Sequence, residues 1–146
     1  MIHYTKNEFE TMQLAAKLGE KAEPGQVFCL AGDLGTGKTV FAKGFARGLN
    51  ITEDVVSPTF TIVHEYHQGR LPFYHFDIYR IPDGDALYDI GFDEYVDGRG
   101  VCLIEWADQI PEEMPEDACW IRVEKDPSQG PDFRRIEILC KGEKDQ

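Results

Sequence analysis

Gly32-Asp33-Leu34-Gly35-Thr36-Gly37-Lys38-Thr39 decides the fold. The stretch fits G-x-x-x-x-G-K-[ST] at every fixed position. Glycines let successive backbone N–H groups curl around a β-phosphate without a Cβ in the way. A helix opening where the loop ends turns its positive pole toward the same anion. The flanking residues agree with this reading. Residues 26–31, Gln-Val-Phe-Cys-Leu-Ala, are short and nearly all apolar, as a strand covered on both faces should be. Residues 38–49 carry Phe41, Phe45 and Leu49 four apart, the spacing of one helix face. Strand, glycine loop and helix make the first half of a βαβ unit. The expected fold is therefore α/β: a three-layer, P-loop NTPase-like arrangement around a central mixed, mostly parallel sheet. The expected nucleotide contacts are Asp33, Leu34, Gly35, Thr36, Gly37, Lys38, Thr39 and Val40, with Lys38 at the β- and γ-phosphates and the Thr39 hydroxyl on Mg²⁺.

Outward from the loop, residues 7–21 place Phe9, Met12, Ala15, Ala16 and Leu18 in a helical stripe, with Thr5 or Asn7 as cap and Pro24-Gly25 as terminator. Downstream, residues 59–67 alternate as a strand, and Gln68-Gly69-Arg70 reads as a hairpin turn into a second strand over 71–79. Residues 83–97 hold six acids and no base and read as a short acidic helix and loop. A buried strand follows at 101–106, then a loop at 108–117 with Pro111, Pro115 and five acids. Strands at 118–124 and 133–140 close a strand-rich C-terminal half, and 141–146 form a flexible tail. With no repeat or linker, residues 1–146 read as a single domain.

P-loop enzymes usually hold Mg²⁺ with an acid at the end of a neighbouring apolar strand. Two runs end that way, one in Asp77 and one in Glu105. The run before Glu105, Val101-Cys102-Leu103-Ile104, has no polar interruption, whereas the other contains Pro72 and His75. Glu105 is thus the preferred metal-side acid beside Thr39, and Asp77 reads either as a second acid, able to orient water, or as a strand-end acid that caps a turn or pairs with Arg80. Ser57-Pro58-Thr59 lies where nucleotide switches sense the γ-phosphate, but the same residues also suit an ordinary turn. Trp106 reads either as packing or as a lid beside the nucleotide. His64, His67 and His75 read as strand residues rather than ligands. The lack of an Asn-Lys-x-Asp stretch favours adenine over guanine.

The formal net charge of −12 argues against a chain that grips DNA or RNA by its own basic surface. The charge is lopsided: residues 1–73 hold 8 acids and 7 bases, and residues 74–146 hold 19 acids and 8 bases. An anionic ligand is therefore sought in the first half, and segments 83–97 and 108–117 form an acidic surface that either is simply solvated or docks on a basic groove. No apolar run is long enough to span a membrane, and the first ten residues lack the apolar core of a signal peptide. Cys29, Cys102, Cys119 and Cys140 lie in apolar runs without metal-site spacing and read as buried free thiols of a cytoplasmic protein.

Four ordered motifs carry a family resemblance: GDLGTGKT at 32–39, SPTFTIVHEY at 57–66, YHFDIYR at 74–80 and CLIEWAD at 102–108. The chain resembles the TsaE family, small bacterial ATPases of tRNA threonylcarbamoyladenosine (t6A) biosynthesis. The resemblance implies slow, Mg²⁺-dependent ATP hydrolysis. It implies action on a TsaB–TsaD complex, without transfer of the threonylcarbamoyl group to adenosine 37 of tRNAs reading ANN codons, and contact with tRNA only through that complex. It implies catalytic roles for Lys38, Asp77 and Glu105, a neighbouring role for Trp106, and a switch at Ser57-Pro58-Thr59. It also puts residues 5–8 near the adenine. Val40 departs from the family, which often has threonine there, so only its backbone N–H is expected to contribute.

Two other readings compete: a small-molecule kinase on the same fold, and a non-catalytic nucleotide-binding module. A kinase usually closes arginines over the phosphates. Arg47, Arg70, Arg80 and Arg99 are scattered rather than gathered in one lid.

Overall fold

Asn7 begins the first helix. Its side chain accepts a hydrogen bond from the Glu10 N–H at 2.9 Å and caps α1 (Glu8–Lys21). At the other end, Arg70 donates to the carbonyls of Gly19, Glu20 and Ala22, each at 2.8 Å, where helix carbonyls lack partners. These features belong to a computed structural model that describes residues 1–32, 38–58 and 61–140. Asp33, Leu34, Gly35, Thr36, Gly37, Thr59 and the tail 141–146 lie outside the described residues.

The remaining elements are β1 (Ile2–Thr5), β2 (Val27–Gly32), α2 (Lys38–Gly48), β3 (Val63–Tyr66), β4 (Phe73–Asp77), α3 (Gly84–Asp89), α4 (Phe92–Val96), β5 (Val101–Glu105), β6 (Cys119–Lys125) and β7 (Arg134–Cys140). They build one seven-stranded sheet in the order β1-β7-β6-β2-β5-β4-β3. The central four strands, β6, β2, β5 and β4, run parallel, and antiparallel strands complete both edges. The expected α/β, P-loop-like fold is thus the fold observed, with its parallel character concentrated in the centre.

The sheet alternates its two apolar faces. Phe28 and Leu30 of β2, Phe73 of β4 and Leu103 of β5 pack under α1 and α2. Cys29, Phe76, Cys102 and Ile104 pack under α3, α4 and the short 3₁₀ turns after β5. Phe45 anchors α2, with its ring 5.0 Å from Phe28 and 5.5 Å from Phe73. Burying such a ring contributes roughly 1.5–3 kcal/mol. α1 and α2 approach until their backbones nearly touch. A Cβ on Gly44 would stand 2.4 Å from the Met12 carbonyl oxygen, and one on Gly48 2.1 Å from that of Ala16. Glycine at these positions therefore sets how deeply the P-loop helix seats.

The structure departs from the sequence reading in several places. β1 pairs with β7 in a stretch read only as a possible cap region. Of the strand expected over 59–67, residues 59 and 60 lie outside the described residues and the regular strand runs over Val63–Tyr66, with Ile62 just before it in a left-handed backbone (φ 70°). The acidic helix of 83–97 is two short helices joined at Gly91, whose φ of 82° ends one and starts the other. Cys119 and Cys140 form a disulfide and are not free thiols, since the β6–β7 register sets them directly opposite, 4.1 Å apart at Cα. Cys29 and Cys102 remain free, and burial pushes both thiols up to about 12.

Candidate functional site

In an open α/β sheet, ligands bind beyond the carboxyl ends of the strands where the strand order reverses. That point lies at β2, flanked by β5 on one side and β6 on the other. α2 begins beyond the end of β2 with Lys38 and Thr39 in its first turn. Lys38 is buried, and Thr39 and Val40 are half-buried. Asp77 is the last residue of β4 and Glu105 the last of β5, and the parallel register places them side by side. Both share the pleat direction of Phe73 and Leu103, so they face the layer that holds α2.

These carboxylates are only 6% and 5% exposed, which is costly for charged groups. Each has one oxygen held by a protein donor. The Tyr79 backbone N–H donates to Asp77 Oδ1 at 3.0 Å, and the His75 ring meets Glu105 Oε2 through Nε2 at 2.6 Å. Burial raises the Asp77 carboxyl above its ordinary range. The Tyr79 hydrogen bond opposes that rise, the neighbouring Glu105 charge adds to it, and His75 and Lys38 oppose it.

Lys38 Nζ lies 3.8 Å from the centroid of the Trp106 ring, within cation–π range. Tyr79 packs on the same indole with centroids 4.8 Å apart. Trp106 does not extend β5, as the sequence suggested: it turns left-handed (φ 68°) and caps a 3₁₀ turn at Ala107–Gln109. Gln109 ties that turn to β4 by donating to the carbonyls of Ile78 and Tyr79 at 3.2 and 3.1 Å. Ile62, the other large left-handed residue nearby, accepts the Asp77 backbone N–H at 2.8 Å. Left-handed backbone at bulky residues costs energy and tends to collect at functional sites. The loop holding Ser57 and the buried Pro58 leads into this turn, with the Pro58 carbonyl accepting from Ile62 N–H at 2.9 Å.

The structure thus brings Lys38, Asp77, Glu105 and Trp106 together, with Thr39 on the adjoining helical turn. It leads the Ser57-Pro58 loop to Asp77 through Ile62. No group of three or more His, Cys, Asp or Glu side chains converges on a metal among the described residues. Two adjacent buried carboxylates still fit a divalent cation of the Mg²⁺ type, which commonly takes one or two carboxylates and draws other oxygens from phosphate and water. His75 is the residue that sequence reasoning passed over. Its partner lies 30 positions away, and only the strand register reveals it.

The chain matches the sequence profile described as "Threonylcarbamoyl adenosine biosynthesis protein TsaE" over residues 5–136. It is 48% identical over 138 residues to the tRNA threonylcarbamoyladenosine biosynthesis protein TsaE of Bacillus subtilis, covering 94% of this chain and 84% of that one. Against the protein of the same name from Haemophilus influenzae it is 31% identical over 145 residues, covering 96% and 89%. A crystal structure of Bacillus subtilis YdiB superposes with a TM-score of 0.83 at 43% identity, covering 97% of this chain and 86% of that chain. This chain therefore belongs to the TsaE family of threonylcarbamoyl adenosine biosynthesis proteins.

Proposed function

We propose that this chain is a Mg²⁺-dependent ATPase subunit of cytoplasmic t6A biosynthesis. It binds ATP at the 32–39 loop, hydrolyses it slowly, and acts on a TsaB–TsaD complex rather than transferring the threonylcarbamoyl group. The observation that carries this reading is the pair of buried carboxylates, Asp77 and Glu105, side by side at the strand ends next to Lys38. Burying two like charges is costly, and a bound cation offsets the cost. A passive nucleotide-binding module has no need of such a pair.

In the proposed mechanism the α2 N-terminus and the Lys38 ammonium hold the β- and γ-phosphates. ATP binding draws Lys38 off the Trp106 ring. Thr39 and Glu105 would hold Mg²⁺, which would offset charge on the phosphate oxygens. Asp77, kept in place by the Tyr79 N–H, orients the attacking water. Pro58 and Ile62 couple the proposed switch loop to Asp77 through backbone hydrogen bonds. The arginines do not support a kinase lid. Arg70 is committed to the carboxyl end of α1, while Arg47 in α2, Arg80 just after β4 and Arg99 between α4 and β5 are exposed and sit on separate elements. An arginine finger is worth about 10³–10⁵ in rate, so hydrolysis by the isolated chain is expected to be slow.

The test is phosphate release from ATP by the chain alone, with TsaB–TsaD, and with small phosphate acceptors. Stimulation by the complex and none by acceptors is expected. Rapid transfer to an acceptor, indifferent to the complex, would refute the proposal. Glu105→Ala should stop Mg²⁺-dependent release while nucleotide still binds, and undiminished release would move the metal role to Asp77.

A further inference from the structure

A histidine in a strand of this core has no packing need for its ring nitrogens. His75 is fully buried, stacks on Phe73 with planes 9° apart and centroids at 6.0 Å, and has Leu103 as its neighbour across β5. Phenylalanine would fill the same space. One polar contact distinguishes His75 from such a ring: Nε2 to Glu105 Oε2 at 2.6 Å. Its other nitrogen, Nδ1, is buried and has no hydrogen-bond partner among the described residues. A proton on Nε2 and none on Nδ1 therefore leaves no buried donor unpaired, which selects the tautomer that donates to Glu105.

We infer that His75 is a positioning residue that fixes the Glu105 carboxylate for the metal side of the site. The inference rests on the assignment of Glu105 made above. Asp77 has a short side chain held by a backbone N–H. Glu105 has one more rotatable bond and needs a fixed donor to keep its headgroup in one place. With Oε2 bound to His75, Oε1 is the oxygen left to the site. Hydrogen-bonded partners behind a ligating carboxylate typically set metal affinity by about 10–100-fold. His75 touches neither nucleotide nor metal in this scheme and acts only through Glu105.

The experiment measures Mn²⁺ affinity by electron paramagnetic resonance on the full chain saturated with a non-hydrolysable ATP analogue. Nucleotide affinity in EDTA is measured alongside. His75→Phe should weaken Mn²⁺ about 10–100-fold and leave metal-free nucleotide affinity within about twofold. His75→Gln, whose Nε2 can donate to the same carboxylate, should recover most of the loss. In a Glu105→Gln background, His75→Phe should cost nothing further. Wild-type affinity in His75→Phe overturns the inference, as does a full loss that persists in the Glu105→Gln background. If His75→Phe does not fold, the Gln variant decides: a folded His75→Gln chain that loses Mn²⁺ more than tenfold overturns the inference. The wild-type chain supplies a second readout. Its His75 ¹H–¹⁵N pattern should be that of the Nε2–H tautomer and should shift in Glu105→Gln, and an Nδ1–H pattern overturns the inference. Failure of the site assignment looks different: wild-type protein then binds no Mn²⁺ with the analogue, or Glu105→Gln binds it as well as wild type. Either result removes the His75 role as well.

Discussion

Gly44→Ala sets two effects of opposite sign against each other in the helix that carries Lys38. Gly44 lies inside α2, where alanine is favoured over glycine by about 1 kcal/mol on helix propensity. Packing opposes that gain. The added Cβ would lie 2.4 Å from the Met12 carbonyl oxygen, 2.8 Å from Met12 Cα and 3.0 Å from Ala15 Cβ, whereas ordinary contact begins at 3.4 Å. The nearest two atoms are backbone and cannot rotate away, so α1 and α2 must separate by roughly 1 Å. Overpacking of this kind costs about 1–3 kcal/mol, and rigid blocking atoms place Gly44 at the upper end. The net expectation is a loss of about 1–2 kcal/mol, or a fall in Tm of about 2–8 °C for a domain of this size. Because Lys38 and Thr39 ride on the same helix, nucleotide affinity should fall with it. The assay is thermal unfolding with and without nucleotide, with exposed Gln13→Ala on α1 as control, expected within about 0.5 kcal/mol of wild type. A Gly44→Ala protein with a Tm at or above wild type would mean that propensity wins and that the tight helix crossing is not what seats α2.

Asp77→Asn should raise the Tm of the nucleotide-free protein while lowering ATPase activity. A carboxyl raised in the folded state favours folding at low pH and loses that advantage as pH climbs through the folded value, so the ionised wild type carries a penalty at neutral pH. Asparagine keeps the Oδ1 acceptor for Tyr79, and its advantage should shrink as pH falls toward the ordinary aspartate value of 3.8; a variant less stable at neutral pH contradicts this. In a Trp120→Phe background, Trp106 fluorescence should change when ATP draws Lys38 off the indole, and an unchanged spectrum at saturating nucleotide would separate Trp106 from the site. Denatured without reductant, air-oxidised protein should show two free thiols, and four after reduction; four without reductant would deny the Cys119–Cys140 bond.

Local chemistry made the P-loop half legible. The apolar run of β2 and the four-residue spacing of α2 name their own structures, and Asn7 caps α1 because a side-chain oxygen there satisfies a helix N–H. What stayed hidden depends on contacts distant in sequence. β1 is four residues of unremarkable composition whose partner, β7, comes at the far end of the chain. The sequence offered both Asp77 and Glu105 to one site, and the parallel register adds that the two sit side by side. His75 looked like a polar blemish in its strand, and the register turns it into the partner of Glu105. The bends at Ile62 and Trp106 run against the extended preference of β-branched and aromatic residues. Tertiary hydrogen bonds hold them there: Ile62 to Asp77, and Gln109 to the end of β4.

The central claim is that ATP turnover at Lys38, Asp77 and Glu105 serves t6A formation without this chain transferring the group. Multiple-turnover t6A synthesis on tRNA, reconstituted with TsaB–TsaD and a supply of threonylcarbamoyl donor, tests it most directly. Sustained modification with the wild-type chain, and arrest after about one round when the chain is omitted or carries Lys38→Ala, is the predicted result. Sustained modification with Lys38→Ala, equal to wild type, would contradict the account.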